Sequence, residues 1–196
     1  MRKPTHLLDI PVFALSNLPQ KYNERGLIAD RPVPWMLHMT SRIHFEPGTY
    51  ELVYRSLDSA RLYIDGEMQA ETPWMKQSSS AHQPLHKITP VPEGVLSIPV
   101  AHYEEKVQVT FDEPGDHVIS LYRMIGSKRT GIRIGELVVG MRRIDENASD
   151  EAPQYTFLSP KRRVPFTDGA WLDLAEEEHQ RLRHLNQQNR LAAAQD

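Results

Sequence analysis

The chain has 196 residues, 23 basic against 26 acidic for a net charge of -3, 15 prolines and no cysteine. That length supports one large domain or two small ones without staples, while the missing thiols exclude a disulfide framework, a thiol nucleophile, a zinc ribbon and an iron–sulfur cluster. The charge balance argues against nucleic acid as a partner, and no run approaches the ~20 apolar residues that membrane insertion as a helix requires.

At the amino terminus Pro4, His6, Asp9 and Pro11 interrupt any apolar run of the kind a secretory signal needs. Read literally, the chain is cytoplasmic; a module cut from a longer exported protein, extracellular or periplasmic, would read the same way. Pro4, Pro11, Pro19, Pro32 and Pro34 are too closely spaced for a long helix, so residues 1–40 read as an extended arm packed on a sheet.

From residue 41 the period changes to two. Ser41 to Phe45, Tyr50 to Arg55 and Ala60 to Ile64 read as strands, and Asp65-Gly66 marks a hairpin, since a type I′ turn needs positive φ at both central positions. Residues 71–94, with Pro73, Ser78, Ser79, Ser80, Pro84, Pro90 and Pro92, form a long connection. Strand signals return at Val95 to Val100, Glu105 to Phe111, His117 to Met124 and Gly131 to Gly140, with Asp112 to Asp116 as a further hairpin turn. About eight short strands without βαβ alternation predict a mainly β, jelly-roll-like antiparallel β-sandwich over 41–145.

Residues 146–166 read as an acidic linker with one short strand, Tyr155 to Leu158. A carboxy-terminal α-helix is predicted over 167–196, capped by Thr167 or Asp168, with Glu176, Glu177 and Glu178 in its first half and Arg181, Arg183 and Arg190 following, the order its dipole favours. Its apolar stripe of Trp171, Ala175, Leu182, Leu185 and Ala192 is narrow and interrupted by Glu178 and Asn189. So thin a stripe predicts that truncation near Phe166 leaves the β-core melting almost unchanged.

Enzyme chemistry has little to build on. Neither Gly-x-x-x-x-Gly run, Gly126 to Gly131 or Gly135 to Gly140, carries the Lys-Ser/Thr of a phosphate loop, and no nucleophile elbow or zinc-protease motif occurs. His82 and His86 stand in a proline-rich connection without an adjacent carboxylate. Trp35 and Trp74 fall in predicted loops, where a ring either closes one end of the core or stacks on the apolar face of a sugar.

Two segments carry a family resemblance. Tyr54 to Gly66, a strand, a short turn at Leu57-Asp58, Arg61-Leu62-Tyr63 and Asp65-Gly66, resembles the central hairpin of the protective-antigen-type β-sandwich domain. Pro114 to Arg123 resembles its Gly-x-His-x-Ile strand, and Gly131 to Val139 its closing strand. The resemblance covers about 41–140 and implies a non-catalytic, carbohydrate-binding module. In the adhesin branch two adjacent aspartates before the Arg-Leu-Tyr strand hold calcium; here Leu57 replaces the first, which leaves Asp58 as a lone metal ligand and predicts weak or absent calcium dependence. The implied site gathers Asp58, Trp74, Gln77 and His82 at one end of the sandwich. The flanks, Asn17 to Asn23 and Leu158 to Asp168, resemble segments beside such modules in large exported planctomycete proteins that carry cytochrome c-like domains. The alternative is a structural domain that binds neighbouring domains of a larger chain and no sugar.

Overall fold

A computed structural model describes residues 9–15, 35–56, 59–73, 95–97, 103–125, 137–144, 154–177, 180 and 184. They form two antiparallel sheets and a helix. In the first sheet β1 (Ala14–Leu15), β8 (Leu137–Ile144), β3 (Gly48–Ser56) and β6 (Tyr103–Phe111) lie side by side, and β9 (Thr156–Phe157) also pairs with β8. The second has the order β2 (Trp35–Phe45), β7 (Gly115–Ile125), β4 (Ala60–Ile64) and β5 (Glu67–Thr72). This is the antiparallel β-sandwich that the alternating pattern predicts.

Alternation explains the main core. Leu52 and Tyr54 on β3, Leu62 and Ile64 on β4, and Ile119 and Leu121 on β7 point inward at period two and are buried together between the sheets. The predicted strand at Val95 differs: Val95 to Ser97 are not in a strand, and 98–100 lie outside the described residues. Leu96 instead donates its N–H to Phe166 O at 2.7 Å and accepts from Arg55 Nη1 at 2.6 Å, so a side chain and the carboxy-terminal segment satisfy its backbone in place of a ladder.

The Asp65-Gly66 turn has φ of 51° and 86°. Asp65 Oδ1 accepts from Val118 N at 2.8 Å and Oδ2 meets His117 Nδ1 at 2.6 Å, which fastens the hairpin to β7. The His117 hydrogen bond holds the Asp65 carboxyl below the usual carboxylate range. A Cβ at residue 66 would meet no atom within 4 Å, so the cost of Gly66→Val is mainly backbone strain at φ of 86°. We expect ~1–3 kcal/mol of destabilisation, read from the midpoint of urea unfolding; an unchanged midpoint would contradict the turn geometry.

A second core covers the outer face of the first sheet. Val12, Ala14, Val53, Leu96, Val138, Tyr155, Phe157, Phe166 and Leu174 are buried there, with Trp171 packed against them. Gly140 suits this packing, because a Cβ there would stand 3.0 Å from the Phe166 ring and force it to shift. The helix α1, helical from residue 168, enters through Thr167, whose Oγ1 accepts from Ala170 N at 3.2 Å. Its first turns are therefore docked: Trp171 stacks on Phe157 at 5.9 Å, and Asp168 Oδ1 accepts from both the N–H and the hydroxyl of Ser97 at 2.8 and 2.9 Å. This is more than the thin stripe predicts, because Trp171 and Leu174 pack into a cluster drawn from parts of the chain far apart in sequence, Val12, Leu96, Val138, Phe157 and Phe166 among them.

Beside this core, Tyr155 Oη donates to Glu51 Oε1, which also accepts from Arg142 Nε at 2.9 Å. Burial works against the Glu51 charge, but the Tyr155 and Arg142 hydrogen bonds outweigh it and keep the carboxyl below its ordinary range. Burial and the same carboxylate push the Tyr155 phenol up to about 12.

Candidate functional site

The strand ends divide the sandwich into two unlike ends. One end carries short turns: Glu46-Pro47 between β2 and β3, Asp65-Gly66 between β4 and β5, and Asp112 to Pro114 between β6 and β7. It is plugged by aromatic rings, with Phe45 stacked on Phe111 at 4.5 Å, Tyr50 edge-on to both, and His117 4.2 Å from Phe111. Its surface polar groups pair locally, as His44 Nδ1 does with Asp116 Oδ1 at 2.9 Å.

The opposite end carries the two long connections, 73–102 and 126–136, beside the short link from β3 to β4. Register places Ser56 beside both Tyr103 and Leu137 in one sheet, and Ala60 beside both Thr72 and Arg123 in the other. The connections from β3 to β4, β5 to β6 and β7 to β8 therefore all leave from this end. Asp58, Trp74, Gln77 and His82 belong to those connections and lie outside the described residues. Trp35, which the sequence places in a loop, is the first residue of β2.

All four buried polar or charged side chains among the described residues gather at this end: Arg55, Ser56, Thr72 and Arg123. Ser56 and Thr72 are the last residues of their strands, and Arg123 is two residues from the end of β7. The cause is visible in the alternation. Ile119, Leu121 and Arg123 share the inward face of β7, and Leu52, Tyr54 and Ser56 share that of β3, so the core turns polar at its last layer. Thr72 Oγ1 accepts the Ala60 N–H at 3.1 Å, which ties the start of β4 to the end of β5. Arg55 points the other way, under the second core, with Nε on Glu104 Oε2 at 2.7 Å and its guanidinium over the Phe166 ring at 5.1 Å.

Burying polar groups is costly unless they are satisfied, and Thr72 and Arg55 have their partners within the fold. The Tyr54 phenol belongs to this layer, near Thr72, Arg123 and Ser56, and burial pushes it up to about 12. The folded state thus favours the neutral phenol. The stability this contributes is complete below the ordinary value near 10 and is lost as pH rises through about 12, a loss of ~3 kcal/mol at about 1.4 kcal/mol per unit. Chemical denaturation of Tyr54→Phe should show a shallower decline between pH 10 and 12 than wild type; parallel declines would contradict this placement.

These buried groups were not singled out as functional from the sequence, although inward-facing Arg123 on an alternating strand is a legible signal. A second missed group lies on the outer face of the β2–β7–β4–β5 sheet. There the His38 and Tyr122 rings are parallel within 4° at 4.2 Å, and Tyr63 meets Tyr122 edge-on at 5.7 Å. Arg61 pairs with Glu71 beside them, with Nη2 to Oε1 at 2.8 Å. Among the described residues, no group of three or more His, Asp or Glu side chains could hold a metal ion, and no helix is long and apolar enough to cross a membrane.

No family model and no curated protein matches the chain. Among solved structures it is similar to part of a beta-glucosidase from Kluyveromyces marxianus in complex with glucose, at 9% identity and a TM-score of 0.48 over 74% of this chain and 14% of that one. It is also similar to the PA14 sugar-binding domain from an RTX adhesin, at 13% identity and a TM-score of 0.40 over 66% of this chain and 53% of that one. The chain thus spans about half of the adhesin domain and a small part of the glucosidase.

Proposed function

We propose that the protein is a non-catalytic carbohydrate-binding module of the protective-antigen type whose ligand site lies at the loop-bearing end of the sandwich. The observation that supports this most is the asymmetry of the core, polar and charged where the long connections leave and plugged with phenylalanine where the short turns are. The proposed contacts follow from chain connectivity. Ala60 and Thr72 are paired, and Asp58 and Trp74 are each two residues along the chain from them, within ~7 Å of backbone reach on either side. A tryptophan ring can take the apolar face of a sugar, while Asp58, Gln77 and His82 take its hydroxyls.

Weak binding is expected of a sugar held by one ring and a few hydrogen bonds, with a dissociation constant on the order of 0.1–1 mM. The experiment is a glycan array followed by titration calorimetry on wild type, Asp58→Ala and Trp74→Ala, with and without EDTA. The proposal expects each substitution to weaken binding about tenfold or more, and EDTA to change little because Leu57 removes one carboxylate from the calcium pair. A folded protein that binds no glycan would instead support the domain–domain interaction reading.

A further inference from the structure

The strand beside β8 is assembled from two distant parts of the chain. β9 and β1 both run antiparallel to β8, with Thr156 opposite Met141 and Phe157 opposite Gly140, then Ala14 opposite Val138 and Leu15 opposite Leu137. The two segments meet at Val139. Its carbonyl accepts from Leu158 N at 2.8 Å, its N–H donates to Phe13 O at 3.0 Å, and Phe13 N donates to Leu158 O at 2.8 Å. Along β8 the order is therefore Thr156, Phe157, Leu158, then Phe13, Ala14, Leu15, one edge strand with a seam that no peptide bond crosses.

We propose that this edge of β8, Leu137 to Val139, is a strand-acceptor site, and that two copies of the protein exchange residues 9–15 across it to form a strand-swapped dimer. The inference is independent of the carbohydrate reading. The site itself shows the chemistry of its occupant. Phe13 and Leu15 enter the core between the sheets, Val12 and Ala14 enter the second core, and all four are buried. An empty site would open both cores at once, so a displaced segment is replaced by one of the same alternation. At the rim, Ser159 Oγ donates to Pro11 O at 2.7 Å and Lys161 Nζ stands 3.4 Å from Asp9 Oδ2.

Connectivity argues for a second copy as the donor. Segment 9–15 is joined to the rest of the sandwich only through residues 16–34, since β2 begins at Trp35. Those 19 residues span up to ~65 Å when extended, more than the ~40 Å breadth of a domain of this length, so a neighbour's site is within reach. β9 has no such freedom, because the chain continues from it through Phe166 into the docked first turns of α1. Each copy that gives its segment and receives its neighbour's keeps every contact, and such a pair closes on a two-fold axis. Concentration then sets the balance, with exchange growing as protein approaches the ~1 mM effective concentration of a tethered segment.

The test mixes equal amounts of ¹⁴N and ¹⁵N wild-type full chain at ~10 μM and at ~1 mM, on either side of that balance. Each mixture is warmed below its melting temperature, cooled, and treated with a carbodiimide that joins the Asp9 carboxylate to the Lys161 amine. Mass spectrometry reads whether the linked peptides carry one isotope or both. The proposal expects mixed-isotope links in a dimer fraction, about tenfold or more enriched at the higher concentration. Links of a single isotope at both concentrations overturn it. A swapped dimer also outlasts dilution, because its return requires both cores to open, whereas a dimer that parts on dilution at once is a surface contact and overturns the exchange. The absence of cysteine provides a lock. Because Val139 N–H bonds Phe13 O, the neighbouring Ala14 and Val138 form a non-hydrogen-bonded pair with Cα atoms ~4.5 Å apart, within disulfide range. The chain with Ala14→Cys and Val138→Cys, oxidised before mixing, is expected to lose mixed links and dimer together; mixed links that persist in it overturn the proposal.

Discussion

Arg55→Ala is expected to cost about 3–5 kcal/mol of folding stability, the range seen when one member of a buried ion pair is removed. Arg55 is 1% exposed and ties three parts of the protein together: β6 through Glu104, the end of the long connection through Leu96 O, and the carboxy-terminal segment through the Phe166 ring. Alanine would leave Glu104 with Lys106 Nζ at 3.7 Å, a longer and more exposed partner, and Leu96 O without its side-chain donor. Because an apolar replacement of both charges can be nearly neutral, Arg55→Met with Glu104→Leu should cost less than the sum of the two single substitutions. Additive losses, or an Arg55→Ala variant as stable as wild type in urea, would contradict the clamp.

Ending the chain at Phe166 should lower stability by ~4 kcal/mol, assembled from the burial of Leu174, about 2 kcal/mol, and the hydrogen bonds of Ser97 to the Asp168 carboxylate, about 2 kcal/mol. For a chain of this size that corresponds to a fall in melting temperature of roughly 10 °C, alongside the loss of helical signal in far-UV circular dichroism. A melt of the β-core that does not move would show the helix to be dispensable, as its thin stripe taken alone predicts.

That contrast shows what the sequence makes legible. Period-two runs locate β3, β4 and β7 because their inward positions are apolar, Leu52 and Tyr54, Leu62 and Ile64, and Ile119 and Leu121, and β6 because Val107, Val109 and Phe111 alternate. Asp65-Gly66 announces its turn because so few residues tolerate positive φ. The second core is only partly legible: Tyr155 and Phe157 alternate on one strand and Trp171 and Leu174 share a helix face, but these pairs and Phe166 meet only because β9 pairs with β8 and the chain then returns over the sheet. The candidate site divides in the same way. Its end of the sandwich follows from which connections are long, and the buried polar layer from the inward positions of Arg123 and Ser56. The His38–Tyr122–Tyr63 cluster, by contrast, needs the cross-strand register of β2, β7 and β4, which no single strand contains.

A ligand held at the loop-bearing end should be visible in backbone amide shifts in ¹H–¹⁵N correlation spectra during titration with the tightest-binding array glycan. The largest shifts are expected at Ser59, Ala60, Thr72, Tyr103 and Arg123, where the strands meet that end. Shifts concentrated at His44, Asp65 and Asp112 to Asp116, at the turn-bearing end, would contradict it.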